Sequence, residues 1–193
     1  MRADEEFISQ LYKALRFATD HHGAVLQVRK STNIPYIIHP VGVMQILLEF
    51  TDDVEIIQAG ILHDILEDTN GNEEDVEKNF GTRVKNLVVG ASEPEHDTLD
   101  WEQRKEHTIN YVQNEADLST LLVICADKLH NFSTIIDDYN KLGPNVWQKF
   151  NRGKDKQRWY YEKMSEAILS RDKNNPLFQK FYNTVHDFFK ALD

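Results

Sequence analysis

The sequence has little cysteine, no long apolar run and no excess of basic residues. Its single cysteine, Cys125, excludes an internal disulfide and is typical of a small core residue in a reducing compartment. No segment approaches the roughly 20 apolar residues that cross a membrane, and the acidic start lacks the apolar core of a signal peptide. We therefore expect a soluble, cytoplasmic protein that does not use a membrane as a partner.

The chain also lacks the positive charge that binding to nucleic acid requires. It contains 22 Lys and Arg residues and 32 Asp and Glu residues, so the formal net charge is −10 at pH 7. Broad nucleic-acid binding is not expected, because a phosphate backbone needs a basic face. A small phosphorylated ligand stays compatible with this charge, since it needs only a local cluster of Lys and Arg, with or without a metal.

An alternating strand pattern of useful length is absent, and so are internal repeats and low-complexity segments. Apolar residues instead recur at helical spacing, as at Phe7, Leu11 and Leu15. The run 121–126 is apolar all round, as expected of a central buried helix. With 193 residues, 40% of them hydrophobic, the chain is long enough for one all-α domain spanning residues 1–193.

Capping and helix-breaking residues predict where some helices begin. Asp52 with Glu55 resembles a capping box, which places the start of the helix that leads to the central motif at this point. Gly143 and Pro144 break the chain, and a long polar helix is predicted over 145–170.

The last predicted helix carries large aromatic side chains that fit either the core or a partner surface. A homo-oligomer is therefore left open. These side chains are Phe181, Phe188 and Phe189.

The most unusual stretch begins at His63-Asp64 and continues to Glu67-Asp68, directly after an apolar run. On one continuous helix, with His63 at zero, Glu67 falls at about 40°, Asp64 at about 100° and Asp68 at about 140°. The four side chains would then share less than half of the helix, and the carboxylates would repel one another. A divalent metal would compensate this repulsion, whereas the simpler alternative is a solvated helix end that contains a histidine.

A second polar cluster follows the buried run, at Asp127, His130 and Asn131. With Asp127 at zero, Asn131 falls at about 40° and His130 at about 300°, so the three side chains share a face. Polar groups at the end of a buried helix need partners. His39 is a further fixed polar group, because Pro40 suits the first turn of a new helix.

Two histidines and two aspartates together make a mixed nitrogen and oxygen site, namely His39, His63, Asp64 and Asp127. Such a set suits Mn, Fe, Zn or a related ion better than Mg or Ca, which prefer oxygen ligands. It also leaves positions for water or substrate. For His130 we favour a supporting or packing role over ligation.

This dispersed order of His, His-Asp and Asp on helices resembles the HD superfamily of metal-dependent phosphohydrolases. Further motifs keep the same order along the chain: Arg29-Lys30, then Pro35-Tyr36-Ile37-Ile38-His39-Pro40, then residues 63–69, then Phe80-Gly81, then residues 126–131. The whole set is similar to the (p)ppGpp hydrolase domain of RelA/SpoT-type proteins, and especially to the stand-alone small alarmone hydrolases. The resemblance implies an HD-type helical bundle with a buried metal site and no synthetase or regulatory domain.

It also implies an activity in the stringent response, the removal of the 3′-pyrophosphate from (p)ppGpp to give GDP or GTP and pyrophosphate through a metal-activated water. By this resemblance, the four His and Asp residues bind one divalent metal, most often Mn²⁺. Glu67 and Asp68 position and deprotonate the attacking water. A carboxylate one helical turn beyond a ligand can reach that water without ligating. The implied substrate contacts are Arg29, Lys30, Asn131, Lys156 and Tyr160.

Two stretches depart from the family pattern. Where the family has Gly-Val-Thr and a basic residue, this chain has Gly90-Ala91-Ser92 followed by the acidic Glu93-Pro94-Glu95. The stretch 151–156 is also longer than in close relatives. Two alternatives therefore stay open: an HD-type hydrolase of another nucleotide phosphate, and a sensor that binds metal and nucleotide without turnover.

Overall fold

The computed structural model describes residues 3–29, 32–92 and 99–193. Within these ranges, extended backbone pairs only at one isolated antiparallel bridge, between Val28 and Pro35. The all-α prediction is confirmed. The helices are α1 (Ala3–Ala24), α2 (Ile38–Leu48), α3 (Val54–Leu62), α4 (Ile65–Asp68), α5 (Glu73–Phe80), α6 (Thr82–Ala91), α7 (Trp101–Asn114), α8 (Leu118–Leu142), a 3₁₀ helix (Gly143–Lys149), α9 (Gly153–Arg171) and α10 (Pro176–Lys190).

Helix α8 is the centre of the bundle. It contacts α2, α3, α6, α9, α10 and the 3₁₀ helix. Its run 123–127 is buried without interruption, as the apolar sequence predicts. Helix α3 is buried from Ile56 to Leu62 and packs on α2 and α8. These contacts bring the start of α2, the end of α3 and the middle of α8 to one place.

The central motif does not lie on one continuous helix, which corrects the sequence prediction. Helix α3 ends at Leu62, and the short helix α4 begins only at Ile65. Between them, Asp64 has φ −93° and ψ 1°, outside helical geometry. The His63 ring donates a hydrogen bond from Nδ1–H to the Gly60 carbonyl at 2.8 Å. An uninterrupted helix would give that carbonyl to the N–H of Asp64, so the ring contact accompanies the break.

One predicted helix start also lies one residue from its predicted position. The N-cap of α3 is Asp53 rather than Asp52, and its carboxylate accepts hydrogen bonds from the N–H groups of Glu55 and Ile56. Arg83 forms ion pairs with both Asp53 and Glu55, which favours Asp53 over the adjacent Asp52 as the N-cap.

The predicted helix over 145–170 is in fact two elements, a 3₁₀ helix and α9. Residues 150–152 lie between them, and Gly153, the first residue of α9, has φ +69°, a left-handed conformation that a side chain disfavours.

Helix α10 closes the core with aromatic rings. Phe181 and Phe189 are fully buried, and Phe188 is partly buried against the same cluster. These residues therefore cover the core, the first of the two alternatives that the sequence left open. In the described ranges, no helix is both long and apolar enough to cross a membrane.

Candidate metal centre and adjoining cavity

Three parts of the fold carry the four predicted ligands to one point. His39 is the second residue of α2, His63 and Asp64 form the corner between α3 and α4, and Asp127 lies in the middle of α8. His39 and His63 are 1% and 3% exposed, and Asp127 is 6% exposed. Because side chains of this polarity are rarely so buried without partners, the cluster needs compensation.

The donor atoms of the cluster lie close together. His63 Nε2 is 2.9 Å from Asp64 Oδ2 and 3.2 Å from His39 Nε2. Asp127 Oδ1 is 3.0 Å from His39 Nε2 and 3.6 Å from His63 Nε2. Donors about 2.0–2.2 Å from one ion are separated by about 2.8–3.6 Å at octahedral to tetrahedral angles. The spacing of His39, His63 and Asp64 therefore fits a single metal ion, and Asp127 contacts both histidines of that set.

The hydrogen bond at Nδ1 of each histidine determines its tautomer, and therefore whether Nε2, which points into the cluster, can act as an acceptor. His63 donates Nδ1–H to the Gly60 carbonyl, so in the neutral ring Nε2 carries the lone pair. His39 Nδ1 lies 2.8 Å from Nδ1 of His130. Burial, with His39 and Arg29 nearby, lowers the pKa of His130 to about 4, so His130 is neutral and can accept. Both Nε2 lone pairs then face the carboxylates, an arrangement that suits a cation.

The charges in the cluster demand a positive group among them. Burial would raise the pKa of Asp64, but His63 beside it lowers that pKa to about 2. Burial alone would lower the pKa of His63, but Asp64 and Asp127 raise it well above its ordinary value. A proton on His63 and a divalent cation are two ways to meet the same need, so the residues present fit a metal.

Asp127 is held on its outer side by neighbours on α8. Lys128 Nζ lies 2.7 Å from Asp127 Oδ2, and Asn131 Nδ2 donates to Asp127 Oδ1 at 2.6 Å. Burial would raise the pKa of Asp127, and Lys128 with the two histidines lowers it well below its ordinary value. The carboxylate is therefore ionised and oriented before any ligand binds.

Two predicted substrate residues meet on one flank of the cluster. Arg29 Nη2 donates to Asn131 Oδ1 at 2.8 Å, and its guanidinium lies 5.5 Å from the centre of the Tyr36 ring. The Tyr36 hydroxyl donates to Asp64 Oδ2 at 2.5 Å. Burial and then Asp64 raise the pKa of this hydroxyl, so it stays a donor. Lys30, predicted to bind substrate as well, lies outside the described residues.

The predicted catalytic pair is divided between the two flanks. Glu67 lines a cavity of about 270 Å³ beside the cluster, and Arg29 is not part of its lining. The same cavity reaches His63, Asp64, Asp127 and Lys128, and its outer wall comes from α6 and α7. Asp68 instead accepts a hydrogen bond from Gln27 at 2.8 Å. Glu67 therefore lines this cavity, whereas Asp68 is tied to the loop that carries Arg29.

Neither Lys156 nor Tyr160 lines this cavity. Lys156 Nζ lies 3.4 Å from a Glu102 carboxylate oxygen and is half exposed. The Tyr160 ring is buried beside Trp101, and its hydroxyl has no hydrogen-bond partner within the described ranges. Their contact with substrate stays a prediction, as does the acidic stretch 93–95, which lies outside the described residues.

Sequence reasoning assigned no role to Tyr36 or Lys128, although both touch the carboxylates of the cluster. Both residues belong to the motifs that carry the family resemblance. Lys128 also follows Asp127 directly, and such a pair in a buried helix is a usable signal for a neutralised carboxylate.

Comparison with known proteins gives the same architecture. The family model of the HD domain matches residues 14–155. A mouse protein named guanosine-3′,5′-bis(diphosphate) 3′-pyrophosphohydrolase MESH1 is 34% identical over 144 residues, which cover 73% of this chain and 75% of the mouse protein. A Vibrio cholerae protein of the same enzyme name is 36% identical over 135 residues, but this chain spans only 18% of its length.

Solved structures extend the likeness beyond the family segment. A metazoan orthologue of SpoT that hydrolyses ppGpp superposes with a TM-score of 0.73 at 26% identity, covering 91% of this chain and 93% of that one. The structure of lmo0812 from Listeria monocytogenes superposes with a TM-score of 0.71 at 34% identity, covering 79% and 99% of the two chains.

Proposed function

The chain belongs to the HD-domain family, and on that premise we propose that it hydrolyses (p)ppGpp at the 3′ position, releasing pyrophosphate and leaving GDP or GTP. The observation that carries the proposal is the convergence of His39, His63, Asp64 and Asp127 beside a cavity that Glu67 also lines. The similarity to the mouse enzyme over three quarters of its length supports the substrate class.

The four side chains would hold one divalent ion, which we propose to be Mn²⁺. Such an ion acidifies water and polarises phosphoryl oxygens. Glu67, which lines the cavity beside the cluster, would accept the proton of the attacking water. The water oxygen forms a bond to the phosphorus on the ribose 3′ oxygen, and the bond between that phosphorus and the 3′ oxygen breaks. The 3′ oxygen then takes a proton, so the products are a 3′-hydroxyl nucleotide and pyrophosphate.

The two flanks suggest how the substrate lies across the cluster. Arg29, Tyr36 and Asn131 form a connected polar group that can hold the nucleoside part. On the other flank, the Lys128 ammonium borders the cavity and can balance phosphate charge. Burial would lower the pKa of Lys128, but Asp127 raises it well above its ordinary value, so the ammonium persists at neutral pH.

The test is a product-resolved assay. Purified protein with Mn²⁺ is incubated with a panel of nucleotides that includes ppGpp, and the products are separated by chromatography. GDP and pyrophosphate from ppGpp, absent with Asp64→Asn, are the expected result. Orthophosphate from a different nucleotide would move the substrate while keeping the hydrolase. Binding of metal and nucleotide with no product over hours would replace the hydrolase by a sensor.

Glu67→Gln separates binding from chemistry in the same assay. The variant keeps the shape of the side chain but cannot accept a proton, so metal binding should persist while turnover falls by about 10²–10⁴-fold. An unchanged rate would remove Glu67 from the mechanism. The extent of the domain over residues 1–193 and a cytoplasmic location complete the proposal.

A further inference from the structure

A polar chain links α1 to the end of α4 through the loop that carries Arg29. His22 Nδ1 lies 2.6 Å from Gln27 Oε1, and Gln27 Nε2 donates to Asp68 Oδ2 at 2.8 Å. His22 belongs to the last turn of α1 and is 2% exposed, while Asp68 is the exposed last residue of α4. Helix α1 packs directly against α4.

The hydrogen bonds of this chain have one consistent direction. An ionised carboxylate only accepts, so the amide NH₂ of Gln27 faces Asp68 and its oxygen faces His22. His22 must then donate through Nδ1–H, which leaves a lone pair on Nε2. That nitrogen is buried and has no partner within the described ranges. Burial lowers the pKa of His22, which agrees with a neutral ring.

Gln27 is fixed by every polar group that it has. Its N–H donates to the His22 carbonyl at 3.1 Å, and its own carbonyl accepts from the N–H of Tyr36 at 3.0 Å. Its side chain bridges His22 and Asp68. The His22 ring also lies 4.9 Å from the Tyr36 ring, whose hydroxyl binds Asp64. A residue held at four points is a rigid support for its neighbour.

Asp68 needs such a support. Helix α4 spans only Ile65–Asp68, too short to orient its last side chain by helix packing. Within the described ranges, the side-chain amide of Gln27 is the group that holds Asp68, and it donates to Oδ2. The other carboxylate oxygen is then left to a water or a substrate group.

We propose that His22 and Gln27 are positioning residues that hold the carboxylate of Asp68, the second acid of the predicted catalytic pair, on the flank of Arg29 and Tyr36, from which it serves the hydrolytic step. The inference rests on the proposed function and adds two residues to it, neither of which belongs to the metal cluster. They act on the chemical step through Asp68, so their loss should lower kcat. An alternative role, in which they only shape the Arg29 loop for substrate binding, would raise KM instead.

The test uses a matched pair at position 22. His22→Asn keeps a donor near the position of Nδ1, whereas His22→Leu has nearly the same size and no donor. We expect His22→Leu to lower kcat on ppGpp by about 10- to 100-fold with little change in KM, and His22→Asn to restore most of it. Gln27→Met should match His22→Leu, and the double variant should be no worse than either, because both act in series. Mn²⁺ affinity should stay at the wild-type value throughout.

Different failures lead to different conclusions. Equal kcat in the Asn and Leu variants, or losses in kcat that multiply in the double variant, would overturn the positioning role while leaving the hydrolase intact. A wild-type protein with no hydrolytic product would overturn the proposed function. A readout independent of activity is the ¹⁵N spectrum of His22, where the Nδ1–H tautomer is expected. An Nε2–H tautomer would overturn the inference in an active or an inactive protein.

Discussion

Helix α8 has one polar face and one aromatic face. With Asp127 at zero, Asn131 lies at about 40°, whereas Phe132 lies at about 140° and Tyr139 at about 120°. The first face meets the histidines and carboxylates of the cluster. The second packs its rings against α10 and α9, with centroid distances of 4.7 Å from Phe132 to Tyr161 and 5.4 Å from Tyr139 to Phe188.

The difference shows how stability and function are divided within one helix. Rings on the second face bury apolar surface and contact one another edge-on or tilted, which stabilises the fold. Charges on the first face cost free energy to bury, and paired charges offset that cost only in part. We therefore expect substitutions on the first face to abolish activity with little effect on folding, and substitutions on the second face to do the reverse.

The largest effect is expected from Asp64→Asn. Loss of this ligand charge should abolish Mn²⁺ binding and lower turnover by about 10³-fold or more. The unfolding free energy of the metal-free protein should fall by no more than about 1–2 kcal/mol, because the lost attraction to His63 is partly offset by the lost repulsion from Asp127, and Asn can still accept the Tyr36 hydroxyl. Metal content after dialysis and urea unfolding in chelator measure the two parts. A collapse of stability would show that the cluster also holds the fold together.

On the second face, Phe189→Ala should cost about 3–5 kcal/mol of unfolding free energy, because the ring is fully buried. Turnover of the molecules that stay folded should remain within about twofold of wild type, since distant sites act independently. Phe188→Ala is the matched control and should cost less, because Phe188 is only partly buried. A large drop in turnover with either variant, under conditions where the protein is folded, would mean that the two faces are coupled.

Metal removal distinguishes the two faces in another way. At 100 times its dissociation constant, Mn²⁺ should add about 2.7 kcal/mol to the unfolding free energy. Phe189→Ala should keep this increment, and Asp64→Asn should lose it. Thermal unfolding with and without chelator measures both. An increment that survives in Asp64→Asn would place the stabilising ion elsewhere.

The helices, and the His and Asp residues that meet in the cluster, could be predicted from the sequence because both leave local signals. Apolar spacing shows a buried helix, and the order of His39, His63-Asp64 and Asp127 matches a family pattern. The break after Leu62 left no such signal, because it involves a side-chain contact between His63 and the Gly60 carbonyl. A continuous helix and a broken one have the same residues at the same spacing.

Long-range partners were beyond sequence reasoning for a related reason. Gln27 and Asp68 are 41 residues apart, and Tyr36 and Asp64 are 28 apart, so spacing carries no information about their contact. The division of Glu67 from Asp68 depends on these partners. On one ideal helix the two side chains would share a face, whereas in the structure Glu67 lines the cavity and Asp68 binds Gln27 on the loop that carries Arg29.

The smallest expected effect tests the support behind the first face. A Cβ added at Gly42 would lie 2.0 Å from His130 Nε2, so Gly42→Ala must displace the ring that contacts His39 Nδ1. Loss of such an outer contact should weaken Mn²⁺ binding by about 10- to 100-fold without abolishing it. Gly23→Ala is the matched control, because nothing lies within 4 Å of its added Cβ, and it should leave Mn²⁺ affinity unchanged. Calorimetric titration of both variants decides the point: equal affinities would mean that His39 keeps its orientation without His130, and that α2 alone aims it at the cluster.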